Sequence, residues 1–200
     1  MRTGFAFDLD GTLTRAELLP LIAQAAGLQE EIGLLTRLTI DGTIPFTASF
    51  RLRFAVLKSL PFAQVQAATS QVELDPGLAA FVQAHPHQCR VVTGNIPQWI
   101  QPLVDRLGCG LHSSEVSVSE THPLQLTRII NKADAVVAMR QEFDRVVAIG
   151  DGANDVAMFD AADISIAYGG VHEPAPSLLE VADYVVFESS SLCRLLDTLS

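Results

Sequence analysis

Apolar residues fall along this chain in two rhythms, and the switch between them divides it. The chain opens on a short unbroken apolar run, Gly4-Phe5-Ala6-Phe7, that meets Asp8, Leu9, Asp10, Gly11 and Thr12 abruptly, the signature of a buried strand ending in a carboxylate-bearing turn. From 15 to 74 apolar positions recur at helical spacing in four segments, 15–26, 29–40, 44–58 and 62–72, punctuated by Gly27, Asp41-Gly42 and Pro61. That predicts a four-helix module. Asp75-Pro76-Gly77 resets the pattern, and short apolar runs then alternate with helical stretches. Strands are predicted over 89–93, 110–116, 146–150, 164–167 and 184–187, and helices over 78–84, 96–107, 132–142, 155–161, 177–181 and 191–199. Such alternation predicts an α/β fold, a Rossmann-like doubly wound parallel sheet with function at the C-terminal ends of its strands. Residues 1–14 and 75–200 would form this core, and 15–74 a helical bundle inserted after the first strand. The stretch 117–126, with Thr121-His122-Pro123, carries neither rhythm and reads as an irregular or hairpin connection.

Composition narrows the functional classes. Twenty-three acids against 13 bases, net −10, argue against a nucleic-acid or anionic-membrane surface, which needs clustered Lys and Arg. An anionic substrate would need local cations to collect it. Cys89, Cys109 and Cys193 are odd in number and show no CxxC spacing, so neither a disulfide framework nor a zinc site is predicted. The first apolar run carries two Asp almost at once, unlike a signal peptide, and no run approaches the ~18 residues of a membrane span. The expectation is a soluble cytoplasmic protein.

Three stretches and one lysine carry candidate chemistry. Side chains alternate along a strand, so Asp8 and Asp10 leave on the same side if the extended geometry persists. Two carboxylates over one small volume repel, and a hard divalent cation with oxygen ligands relieves that repulsion. A tight Asp-Gly hairpin turn is the alternative. Val91-Val92-Thr93-Gly94-Asn95 ends a strand with a hydroxyl, and Gly94 lets backbone amides approach a phosphate closely. Ordinary helix-entry chemistry explains it as well. Lys132 opens a helical pattern and either faces the same rim or is a solvated lysine. Ala148-Ile149-Gly150-Asp151-Gly152-Ala153-Asn154-Asp155 again delivers acids from the tip of an apolar strand. It is no dinucleotide loop, because Asp155 replaces the third Gly, and neither acidic stretch has the Gly and Glu spacing of an EF-hand.

Together FDLDGTLT, VVTGN, Lys132 and GDGANDVAMF resemble, in order and spacing, the four motifs of the haloacid dehalogenase superfamily of phosphotransferases. The helical insertion resembles that superfamily's cap. Glu17, Phe46 and Arg53 make the chain most similar to its phosphoserine phosphatases, although Thr93-Gly94-Asn95-Ile96 stands where those usually have Ser-Gly-Gly-Phe. The resemblance implies a Mg²⁺-dependent phosphomonoester hydrolase acting on a small phosphorylated metabolite, with Asp8 as nucleophile, Asp10 as acid and base, and Lys132 as catalytic cation. Asp8, the main-chain carbonyl of Asp10, Asp151 and Asp155 would hold the metal, with Thr93, Gly94 and Asn154 on the phosphate side. Phe46 and Arg53, two turns apart on one helix face, would present an apolar wall and a guanidinium for a carboxylate, and Glu17 would meet an ammonium. A plain Glu17–Arg53 ion pair is the alternative for those two. Transfer to another alcohol, another phosphate ester, or a non-catalytic metal- or partner-binding descendant of the fold remain open on sequence.

Overall fold

The computed structural model describes residues 1–118 and 124–200. Six strands, β1 (Thr3–Phe7), β2 (Cys89–Thr93), β3 (Gly110–Ser113), β6 (Arg145–Gly150), β7 (Ile164–Tyr168) and β8 (Tyr184–Val186), pair in parallel in the order β3-β2-β1-β6-β7-β8. The α/β prediction therefore holds. β1 is central, and the chain passes from it to β2 on one side while β6 lies on the other. That reversal opens a crevice at the C-terminal strand ends, where parallel sheets bind ligands.

The short β1 is buried along its whole length because its side chains alternate between two apolar layers. Phe5 and Phe7 enter one layer with Phe81 of α5 (Pro76–Ala84), where the Phe5 and Phe81 rings meet edge to face at 5.1 Å. Ala6 enters the other, against α7 (Lys132–Met139), α8 (Val156–Ala161) and α9 (Pro176–Leu179). α6 (Pro97–Leu107) and α10 (Ser189–Leu199) complete the first layer.

Between β1 and α5 lie α1 (Leu18–Gln24), α2 (Gln29–Ile40), α3 (Phe46–Leu57) and α4 (Phe62–Ser70). Their apolar faces join the same cluster as Phe5 and Phe7, so this insertion is packed onto the core without a break. α1 starts three residues later than the periodicity implies. Thr14 bridges Leu74, and the Arg15 N–H donates to the Glu73 carbonyl at 2.9 Å, so the two connecting segments run extended side by side.

The strand predicted over 110–116 is two elements. β3 stops at Ser113, and β4 (Glu115–Ser117) pairs antiparallel with β5 (Gln125–Arg128). The break falls on Ser114, whose N–H donates to the Asn95 carbonyl (3.0 Å) and whose hydroxyl donates to the Gly94 carbonyl (2.7 Å), turning the chain away from β2. The hairpin reading of 117–126 fits these flanks, and its Thr121-His122-Pro123 centre lies outside the described residues.

Candidate active site

Asp8 continues β1 past its last ladder pairs, Phe7 with Val91 and Phe7 with Ile149, and its N–H donates to the Ile149 carbonyl at 2.8 Å. That register brings it beside Gly150-Asp151 at the tip of β6. The chain then closes one wide turn, Leu9–Leu13, with the Thr14 N–H donating to the Leu9 carbonyl at 2.9 Å. Gly11 sits in it at φ +75, a conformation that disfavours a side chain. A Cβ there would also meet Asp151 Oδ2 at 2.6 Å, so the glycine lets the two acidic loops approach. The Thr12 hydroxyl crosses the gap and donates to Asp151 Oδ1 at 3.0 Å.

Lys132, first residue of α7, is buried with its ammonium between two carboxylates, donating to Asp8 Oδ1 and to Asp155 Oδ1, each at 2.5 Å. Burial pulls its pKa down, but Asp155 and Asp8 more than offset that and hold it above the ordinary lysine range. Asp155 lies at the end of the turn Ala153–Asp155, and its second oxygen accepts the N–H groups of Asp151 and Gly152, both at 3.1 Å. Both its oxygens are thus engaged in holding the lysine and the loop.

Asp8, Asp10, Glu17, Phe46, Arg53 and Thr93 line one cleft of about 490 Å³, open to solvent at its mouth, together with Gly94, Asp151 and Asn154. Lys132 and Asp155 stand behind its floor. Asp10 is held at both oxygens, accepting from the Leu18 N–H at 2.9 Å and from Asn95 Nδ2 at 2.7 Å. Burial and then the Glu17 charge raise its carboxyl to about 7, against the pull of the Leu18 N–H. Thr93 is buried at the end of β2, its Oγ1 accepting from the Asn95 N–H at 3.2 Å. At Gly94 a Cβ would fall 2.1 Å from Phe46 Cζ, so α3 packs on the β2 tip only because that position is glycine.

Glu17 and Arg53 do not pair. Arg53 is 4% exposed and donates from Nη1 to Thr36 Oγ1 at 3.0 Å, with no carboxylate in ion-pair range among the described residues. Glu17 instead lies 3.2 Å from Nε2 of His172, on the loop after β7, and that bond raises the histidine pKa. Thr12 and Asn95 fall inside stretches already singled out by sequence, without a role assigned to either. His172 had no local signal at all.

The donor set fits a hard divalent cation. Oxygens of Asp8, Asp151 and Asp155 lie within 4.8 Å of one another, all buried, and burial pushes the Asp8 and Asp151 carboxyls well above their usual range. Lys132 compensates Asp8 and Asp155, whereas among the described residues Asp151 has only the Thr12 hydroxyl. A cation held by oxygen ligands would offset the mutual repulsion of such a group.

Phosphoserine phosphatase SerB2 of Mycobacterium tuberculosis is 30% identical over 192 residues, 88% of this chain and 46% of that protein, so the chain spans about half the length of that relative. The phosphoserine phosphatase of Halobacterium salinarum is 31% identical over 206 residues, 96% of both chains. A structure of a phospho-aspartyl intermediate analogue of phosphoserine phosphatase matches with a TM-score of 0.78 at 26% identity, covering 94% of this chain and 93% of that one. The family model of the haloacid dehalogenase-like hydrolases matches residues 5–160, from β1 through both acidic loops, and the chain belongs to that family.

Proposed function

We propose that the chain is a Mg²⁺-dependent phosphomonoester phosphatase working through an aspartyl-phosphate on Asp8, with phosphoserine as its substrate. The observation that carries the reaction is the pairing of Asp8 with the buried Lys132 at the floor of a cleft whose wall holds Asp10, an acid that keeps its proton to about pH 7. A bound Mg²⁺ would be held by Asp8, Asp151 and the Asp10 carbonyl, and supplies charge neutralisation and in-line alignment. In the first half, an Asp8 oxygen bonds to phosphorus as the ester P–O bond breaks, and the Asp10 proton passes to the leaving alkoxide. In the second, Asp10 takes a proton from water as its oxygen attacks phosphorus, and inorganic phosphate leaves Asp8. Lys132, Thr93 and the amides around Gly94 stabilise the charge that spreads over the transferring oxygens. Asn154 lines the same wall, and Asp155 acts by holding Lys132.

Residues 15–74 serve as the cap in this reading, and Arg53 supports the choice of substrate. A buried guanidinium without a carboxylate partner is costly, and a substrate carboxylate supplies one. The full-length phosphoserine phosphatase relative points the same way. His172 favours a second reading, since it already engages Glu17, the residue placed to meet an ammonium. A small monoester with a carboxylate and no ammonium would suit that arrangement. Phosphate release from phosphoserine and from phosphorylated 3-hydroxypropionate, with Mg²⁺ and with EDTA, tests both readings. Metal-independent turnover, or full activity in Asp8→Asn, would sink the mechanism. A preference for the deaminated ester would select the second substrate.

A further inference from the structure

We propose that Asn95 is a positioning residue that holds the Asp10 carboxyl in line with the leaving oxygen of the substrate. The inference rests on the phosphatase reading above. Asn95 is 4% exposed, and its Nδ2 donates to Asp10 Oδ2 at 2.7 Å. With its nitrogen toward Asp10 the amide only donates to that carboxyl and takes no proton from it, whereas the reverse orientation would draw the Asp10 proton onto Asn95 Oδ1 and away from the leaving oxygen. The consequence is visible on the other side of the amide, where Asn95 Oδ1 is buried with no hydrogen-bond partner among the described residues. An unpartnered buried carbonyl lowers stability. The side chain therefore contributes little to folding, and its contact with Asp10 is what it offers.

The backbone that carries Asn95 is braced from both directions. Its N–H donates to Thr93 Oγ1 and its carbonyl accepts the Ser114 N–H at 3.0 Å. Ser114, fully buried, donates its hydroxyl to the Gly94 carbonyl and accepts the Ile130 N–H at 3.2 Å, two residues before Lys132. One network thus ties the phosphate-side loop, the Lys132 helix and the Asp10 carboxyl. The Leu18 N–H pins the other Asp10 oxygen, so the carboxyl has a single orientation, fixed by two separate elements.

A group that aims a general acid matters in proportion to the basicity of the leaving alkoxide. Phosphoserine, with an alkyl leaving group, depends on the proton; p-nitrophenyl phosphate leaves as a stable phenolate and hardly needs it. Asn95→Ala should lower kcat/KM for phosphoserine by about 10- to 100-fold, mostly in kcat, and for p-nitrophenyl phosphate by less than about threefold. In an Asp10→Asn background, Asn95→Ala should add no further loss on phenyl phosphate, because the group it positions is gone. Should Asn95→Ala fail to fold, Asn95→Leu keeps a similar size, removes the donor without adding a charge and carries the same comparison. Equal losses on the two esters, no loss on phosphoserine, or a loss that persists without Asp10 would each overturn the positioning role while the phosphatase reading stands. A wild-type protein that releases phosphate from neither ester would overturn that reading and this one with it.

Discussion

Burial lifts the Asp10 carboxyl from the ordinary 3.8 to about 7, so the folded chain holds a proton there more tightly than the unfolded chain does. For an acid shifted upward, stability is fully present below the unfolded value and is lost as pH rises through the window between the two. The metal-free protein should therefore melt higher at about pH 5 than at about pH 7.5, by on the order of 5 °C, and Asp10→Asn should flatten that slope. A metal-free midpoint that climbs with pH across this window would contradict the assignment. Arg53 yields a prediction of a different kind, because its charge is buried with no carboxylate in ion-pair range among the described residues. Phosphoserine should be hydrolysed roughly tenfold to a hundredfold better than phosphoethanolamine, which lacks the carboxylate, and Arg53→Ala should erase most of that difference while sparing p-nitrophenyl phosphate. Equal kcat/KM values for the two amines in the wild type would remove the clamp. Glu17 and Arg53 were both candidates through the family resemblance, but the partner of each was not legible: the sequence allowed them to pair with one another, and the fold gives them His172 and Thr36.

Helix α3 joins the cleft to the core. Phe46, Phe50 and Phe54 run along one face at one-turn intervals, Phe46 stacked on Phe50 at 5.5 Å and Phe54 against Trp99 of α6 at 5.6 Å. Phe50 is 1% exposed, so Phe50→Ala should cost about 3–5 kcal/mol, measured by denaturant unfolding. The cleft end of that stripe is more delicate. With 2.1 Å between a Gly94 Cβ and the Phe46 ring, Gly94→Ala must displace that ring from the cleft wall, raising KM for phosphoserine by about tenfold or more with a far smaller change in melting temperature. Unchanged KM in a folded Gly94→Ala variant would show that the Phe46 ring does not touch substrate. Element identity was largely readable because helical and strand periodicities are local properties. The helix predicted over 132–142 ends at Met139. Two other misreadings fall where a distant group competes for the backbone: at 15–17, where Arg15 pairs with Glu73, and at Ser114, drawn to Gly94 and Asn95.

Taken whole, the molecule gathers acids at one rim of a chain already carrying net −10, and a divalent cation is the natural counterweight. Mg²⁺ at ~100 times its dissociation constant should stabilise the fold by about 2.7 kcal/mol, a shift of roughly 5–10 °C in melting temperature over EDTA-treated protein. Asp151→Asn should abolish most of that shift, and an unchanged shift would place the ion elsewhere. Two kinds of information meet in this protein. Element order, the reset at Asp75, and acids at the tips of β1 and β6 are written in the chain, because periodicity, turn residues and motif spacing are carried by neighbouring positions. The pairs that make those acids a site are separated by 124 residues for Asp8 and Lys132, 85 for Asp10 and Asn95, and 155 for Glu17 and His172. Periodicity and turn residues do not reach across such intervals; the family resemblance put Asp8 and Lys132 in one site, and neither Asn95 nor His172 was given a role by it. Parallel strand register brings Asp8 beside Asp151, helix packing closes water out, and from that exclusion come the raised carboxyls and the bound lysine: contact and burial exist only once the chain has folded on itself.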